Sequence, residues 1–115
     1  MNVYDSANAL AGALQDSYEY KRLKQAWEPV RQDPDTKKMV EDFLKKQAQL
    51  QMDAISGKET AAKQEQLQKL YELISQNSRG RDYMQAYMRF QLMMEDINKI
   101  LADAIKPVVN SGINE

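Results

Sequence analysis

Carboxylate side chains are the residues of this sequence best suited to acid–base or metal chemistry, and two adjacent pairs stand out, Glu41-Asp42 and Glu95-Asp96. Neighbouring residues of a helix point about 100° apart, so neither pair can share a proton or a metal ion. The sequence has no histidine and no cysteine, and these residues supply most bases, thiol nucleophiles and zinc or iron–sulfur ligands. We therefore predict a protein that is not an enzyme and that has no metal and no cofactor.

Basic side chains are the second group that could do chemistry, because a stripe of them can bind the phosphates of a nucleic acid. Acidic residues such as Glu28 and Asp35 are interleaved with the stripe, whereas phosphate binding requires an uncompensated positive field. An ordinary solvated face is the interpretation we favour, and an RNA-binding accessory protein is the alternative. The stripe consists of Lys21, Arg22, Lys24, Lys37, Lys38, Lys45 and Lys46.

The elements that position these side chains belong to one small domain. The chain has 115 residues, 43% of them hydrophobic, and a formal charge of −1, so one domain over residues 1–115 is expected, and disorder is disfavoured. No stretch approaches the roughly 18 apolar residues of a membrane span, and the first residues do not resemble a signal peptide. We expect a cytoplasmic protein without membrane contact.

Apolar residues recur at spacings of three and four in five segments, which predicts an all-α fold of five helices. The first segment carries Val3, Ala7, Leu10 and Leu14 on one face. Pro29 lies inside the second segment and predicts a kink or a stop there. The start and stop signals are Asn2, Asp16-Ser17, Asp33-Pro34-Asp35, Gly57, Thr60 and Asn77-Ser78-Arg79-Gly80.

The fifth segment has the clearest pattern, a heptad-like seam that ends before Pro107. We expect this seam to be intramolecular and to pack on an αα-hairpin of the third and fourth helices. At about 1.5 Å per residue the third helix reaches about 35 Å and the fifth about 37 Å, so the molecule should be elongated. Gln47 on the third helix either sets the register through a hydrogen bond or lies at the edge of the apolar face, which we favour. The seam consists of Tyr83, Tyr87, Phe90, Met94, Ile97 and Leu101.

A second apolar line, formed by Met84, Met88 and Leu92, runs along another side of the fifth helix. Either the second helix with Trp27 covers this line within the chain, or a second subunit or another protein does. Methionine is unbranched and polarisable, so it suits a surface that adapts to another helix. The methionine line is therefore a candidate interface, and we expect oligomerisation, to a dimer or higher, to complete the helical bundle.

Several short sequences spread over the chain resemble one family of small bacterial helical proteins, the YlbF/YmcA/YheA family, and in particular its YheA branch. Each sequence consists of common helix residues, but their order and spacing cover about 105 residues. They are Val3-Tyr4-Asp5-Ser6-Ala7-Asn8-Ala9-Leu10, Glu19-Tyr20-Lys21-Arg22-Leu23-Lys24, Phe43-Leu44-Lys45-Lys46-Gln47, Ile97-Asn98-Lys99-Ile100 and Lys106-Pro107-Val108.

The resemblance implies an all-helical, oligomeric, cytoplasmic protein from a Gram-positive bacterium. It also implies a regulatory role, because YlbF and YmcA act in a complex that affects competence, biofilm formation, sporulation and RNA processing. Members of that complex help to hold iron–sulfur clusters through cysteines, and this chain has none, so no cluster ligand can be assigned. The predicted function is a non-enzymatic protein-interaction or regulatory protein that forms homo-oligomers. Another helical protein is a further candidate partner, and nucleic acid is disfavoured as a partner.

Overall fold

The computed structural model describes residues 2–109, and this range consists of five α-helices joined by short turns. The predicted all-α fold of five helices with a long C-terminal helix is thus confirmed. The helices are α1 (Val3–Asp16), α2 (Tyr18–Arg31), α3 (Pro34–Ile55), α4 (Ala61–Ile74) and α5 (Ser78–Val109).

Two of the predicted helix starts are formed by side-chain caps. The Asn2 carboxamide oxygen accepts a hydrogen bond from the backbone N–H of Asp5 at 2.8 Å. The hydroxyl of Ser17 accepts one from the N–H of Tyr20 at 3.1 Å, and the same hydroxyl donates to the carbonyl of Leu14 at 2.6 Å. Ser17 therefore satisfies the end of α1 and the start of α2 at once, which fixes the break between them.

The starts of α3 and α4 are formed differently from the sequence expectation. Asp33 and Thr60 occupy the cap positions, but neither side chain bonds the first turn of its helix backbone. Asp33 instead accepts a hydrogen bond from the Thr36 hydroxyl at 2.8 Å. The Glu59 carboxylate accepts from the N–H groups of Thr60 and Ala61, both at 3.0 Å. Gly57 has a φ of +77°, the left-handed conformation expected after α3.

Two prolines and one glycine that we expected to kink a helix, end it or separate two helices lie inside helices. Pro29 lies near the end of α2, which continues to Arg31, and Pro107 lies in the last turn of α5. Each therefore disturbs a helix only close to its end, where few backbone bonds remain to be lost. Gly80 belongs to the first turn of α5, and its N–H donates to the Asn77 carboxamide at 2.7 Å. Helix α5 thus begins at Ser78, earlier than the sequence indicated.

The helices pack in two pairs that meet in a small core. Helix α2 is the principal neighbour of α5, and α3 forms a hairpin with α4, while α1 packs only against α2 among the described helices. We expected α5 to pack on this hairpin, and it does so less extensively than it packs on α2. The buried apolar residues are Ala26, Val30, Val40, Phe43, Leu67, Ile74, Tyr83, Met84 and Ala86.

The molecule is flat and extended. Its principal extents are 46 × 37 × 16 Å and its radius of gyration is 16.9 Å, against about 13 Å for a compact domain of this length. The accessible surface is 8560 Å², whereas a compact monomer of this mass exposes about 6,400 Å². The predicted elongated shape is therefore present, and the chain leaves an unusually large surface uncovered.

Candidate interaction surface

Aromatic side chains fix how α5 lies against its neighbours. The Trp27 and Tyr83 rings are 5.6 Å apart between centroids. Tyr20, two turns earlier in α2, pairs at 6.0 Å with Phe90, two turns later in α5. Since moving back along α2 corresponds to moving forward along α5, the two helices are antiparallel.

The residues of the predicted seam become more exposed along α5. Tyr83 is buried, while Tyr87, Phe90, Met94 and Ile97 are partly buried. The last residue of the seam, Leu101, is 55% exposed. The seam therefore lies within the folded chain at its start, and its last residue is uncovered.

The three residues of the methionine line lie in different environments. Met84 has no exposed surface and forms part of the core. Met88 is 45% exposed and Leu92 is 59% exposed. Of the two arrangements considered from the sequence, coverage within the chain applies to Met84, while the side chains of Met88 and Leu92 are exposed.

A hydrogen bond between Tyr87 and Gln47 connects α5 to α3. The Tyr87 hydroxyl donates to the side-chain oxygen of Gln47, and both groups are partly buried. The Tyr87 ring also meets Phe43 edge-on, with centroids 6.3 Å apart. Gln47 therefore makes a hydrogen bond that defines the register of the two helices, and our preference for a position at the edge of the apolar face was wrong.

Burial keeps both tyrosines of this region neutral over the physiological range. Burial, followed by the nearby Tyr87, raises the pKa of Tyr83 to about 12. Burial also raises the pKa of Tyr87. Neither hydroxyl can therefore act as a base near neutral pH, and Tyr87 remains a hydrogen-bond donor to Gln47.

Two shallow apolar grooves flank the middle of the molecule. A groove of about 350 Å³ lies beside Tyr20, Leu23, Trp27 and Leu44. A second, of about 250 Å³, lies between the α3–α4 hairpin and α5, with Met88 at its wall. Neither groove contains a cluster of convergent charged groups, so both resemble packing surfaces more than small-molecule sites.

The basic stripe is spread over partly compensated surfaces of α2 and α3. Lys46 forms an ion pair with Asp42 at 2.9 Å. Lys24 lies over the ring of Tyr20, with its nitrogen 5.9 Å from the ring centroid. Lys38 and Lys45 line the same surface as Glu41 and Asp42. These contacts leave a mixed surface in place of a continuous positive one.

Helix α1 has an apolar face that is largely exposed, which its sequence pattern did not predict. No residue of α1 is buried, and Val3 and Tyr4 are each 79% exposed. Every residue of α5 from Asn98 to Val109 is exposed as well. The periodicity of both segments predicted helices with an apolar side, but it cannot show that this side is left without a neighbour in the chain.

The described residues contain little that could hold a metal ion or cross a bilayer. Within residues 2–109 no three acidic side chains converge as a metal site would require. No helix of this range has the length and apolar content needed to span a membrane. What the described surface offers is apolar area at helix faces.

The architecture defines a class of small all-helical protein with exposed apolar helix faces, and comparison with known proteins identifies its family. A family model described as control of competence regulator ComK, YlbF/YmcA, matches residues 3–106. The chain belongs to this YlbF/YmcA family. A UPF0342 protein of Caldicellulosiruptor bescii is 42% identical over 106 residues, which cover 91% of this chain and 89% of the relative. A UPF0342 protein of Symbiobacterium thermophilum is 38% identical over 90% of this chain and 93% of the relative. A UPF0342 protein of Bacillus licheniformis is 37% identical over 88% of this chain and 87% of the relative.

Proposed function

We propose that this chain is a non-enzymatic regulatory protein of the YheA branch of its family, which acts in the cytoplasm by binding other proteins and assembles as a homo-oligomer. One observation carries the proposal. Apolar side chains are exposed on more than one side of one stretch of α5, and proteins that remain monomeric rarely expose large apolar patches. The stretch contains Met88, Leu92, Ile100, Leu101, Ile105 and Val108.

The size of the uncovered surface supports the same proposal. The chain exposes about 2,100 Å² more than a compact monomer of its mass would. A standard stable interface buries about 800 Å² on each partner, so the excess is large enough for one interface or more. The family description names a regulator of competence and no catalytic activity, which favours a regulatory role over an enzymatic one.

Sedimentation equilibrium tests the oligomeric part of the proposal directly. At micromolar concentration the full chain should have a mass of at least twice 13.3 kDa. Met88→Glu introduces a charge at a half-exposed apolar site, and the charge is costly only where a partner removes its water. We expect the mass of this variant to fall while circular dichroism remains helical.

A matched control separates the interface from a general effect of added charge. Met52 is 63% exposed on α3, so Met52→Glu makes the same change away from α5 and should leave the mass unchanged. A wild-type chain that is monomeric at micromolar concentration would contradict the homo-oligomer. A Met88→Glu variant that keeps the wild-type mass would instead show that Met88 does not belong to the interface.

A further inference from the structure

Helix α1 and the distal segment of α5 (residues 97–109) are both amphipathic, and most of each apolar face is exposed, while Leu14 and Ile97 are partly buried. Among the described helices α1 packs only against α2, and it does not contact α5. A helix of 14 residues is only marginally stable alone in water. Both segments therefore have apolar surface that this arrangement of the chain leaves uncovered.

The two apolar faces match one another in spacing and residue type. Each has four members separated by four, three and four residues, so the two faces can be aligned in antiparallel order. The alignment places valine opposite valine, alanine opposite alanine, leucine opposite leucine and, at the other end, leucine opposite isoleucine. The pairs are Leu14 with Ile97, Leu10 with Leu101, Ala7 with Ala104, and Val3 with Val108.

This alignment continues the register that α2 and α5 already have. Tyr20 lies beside Phe90 and Trp27 beside Tyr83. If this antiparallel order continued past Ser17 into α1, each α1 residue would lie within one residue of the α5 partner that the alignment gives it. In the chain itself the extension is interrupted. Ser17 has extended backbone with a ψ of 152° and caps both flanking helices, so α1 diverges from the α5 to which its pattern fits.

We propose that α1 of one copy packs on the distal segment of α5 of a second copy. The break at Ser17 keeps each α1 away from the same surface of its own α5. In a twofold dimer this contact forms twice, because each chain supplies one α1 and one distal segment. The inference rests on the proposed homo-oligomer and specifies which helices are exchanged within it.

Disulfide trapping tests the exchange without background, because the natural chain has no cysteine. Ala7→Cys is made in one chain and Ala104→Cys in an isotopically heavy chain, and the two are refolded together and oxidised. Helices facing each other through alanines approach to about 8 Å between axes, which brings these positions within the range of about 4.4–6.8 Å between Cα atoms that a disulfide needs. Mass spectrometry should find a light–heavy disulfide joining positions 7 and 104.

The matched control is Ala102→Cys in place of Ala104→Cys. Ala102 is exposed like Ala104 but lies about 200° around the helix, on the opposite face. The mixture with position 104 should give about tenfold more cross-linked product than the mixture with position 102, since only the former meets the distance requirement. Equal yields would overturn the proposed pairing.

A chain that carries both Ala7→Cys and Ala104→Cys distinguishes exchange from closure within one chain. Exchange predicts a covalent dimer of twice the chain mass. An intrachain disulfide at monomer mass would show that α1 folds onto its own α5 and would overturn the inference. Sedimentation separates the two proposals: a dimer without the 7–104 disulfide contradicts only the helix exchange, and a monomer contradicts the homo-oligomer as well.

Discussion

Tyr87 on α5 donates a hydrogen bond to Gln47 on α3, and this bond joins the α3–α4 hairpin to the helix that packs on α2. It lies beside the edge-on contact of Phe43 with the Tyr87 ring. An apolar contact alone tolerates sliding of one helix along another, whereas a partly buried hydrogen bond is lost when the helices shift by a residue. The pair therefore specifies how the two halves of the molecule are aligned.

Tyr87→Phe should lower the free energy of unfolding by about 1–2 kcal/mol, because the ring is kept and the Gln47 oxygen loses its donor while remaining partly buried. Urea denaturation followed by circular dichroism measures the change. Tyr18 is 65% exposed, so Tyr18→Phe is the control and should change stability little. A Tyr87→Phe variant as stable as the wild type would mean that water replaces the lost donor at no cost.

Gly80→Ala should destabilise the chain, because α4 ends where α5 begins and the two backbones nearly touch there. A Cβ atom at position 80 would lie 2.2 Å from the carbonyl oxygen of Ile74, so the backbone must shift at a cost of about 1–3 kcal/mol. In Gly12→Ala the new Cβ meets nothing within 4 Å, and alanine favours a helix over glycine by about 1 kcal/mol. Thermal melts should therefore move in opposite directions for the two variants.

Acid should weaken the α3–α4 hairpin through Asp53. This carboxylate is 2% exposed and forms an ion pair with Lys63, and Gln49 donates to it at 2.9 Å. The hydrogen bonds from Lys63 and then Gln49 lower the pKa of Asp53 below its ordinary value of 3.8. Because the folded pKa lies below the unfolded one, the stabilisation is complete above pH 3.8 and is lost as the pH falls through the folded pKa.

The free energy of unfolding measured against pH checks this expectation. Asp53→Asn should lower stability at neutral pH, because Lys63 loses its partner, and should flatten the decline below pH 3.8. Asp35→Asn makes the same change at an exposed position and should lower stability at neutral pH less than Asp53→Asn does. An unchanged acid decline in Asp53→Asn would assign the pH dependence to other carboxylates.

The number, order and type of the helices could be predicted from the sequence because those features depend on local signals. Periodic apolar residues and residues such as Asn2, Ser17 and Gly57 act within one turn of the chain, so a single sequence contains them in full. The elongated shape followed from helix length alone. Exact ends were harder, since Gly80 and Pro107 lie inside α5 despite their low helix propensity.

The arrangement of the helices could not be read in the same way. Periodicity shows that a face is apolar, but it does not show which helix covers it, and the sequence left both possibilities open for Met84 and Met88. The structure buries Met84 in the core and leaves Met88 45% exposed. Long-range polar pairs such as Asp53 with Lys63 were also missed, because each residue alone looks like part of an ordinary solvated surface.

Met84→Ala provides the final prediction, since Met84 has no exposed surface and lies where α5 packs on the rest of the chain. Removing its thioether leaves a cavity in a small core, so the free energy of unfolding should fall by about 2–5 kcal/mol. Met52→Ala applies the same truncation to a side chain that is 63% exposed and should change stability by about 0.5 kcal/mol or less. Chemical denaturation at one protein concentration compares the two variants. Equal small losses would contradict the burial of Met84 in the core.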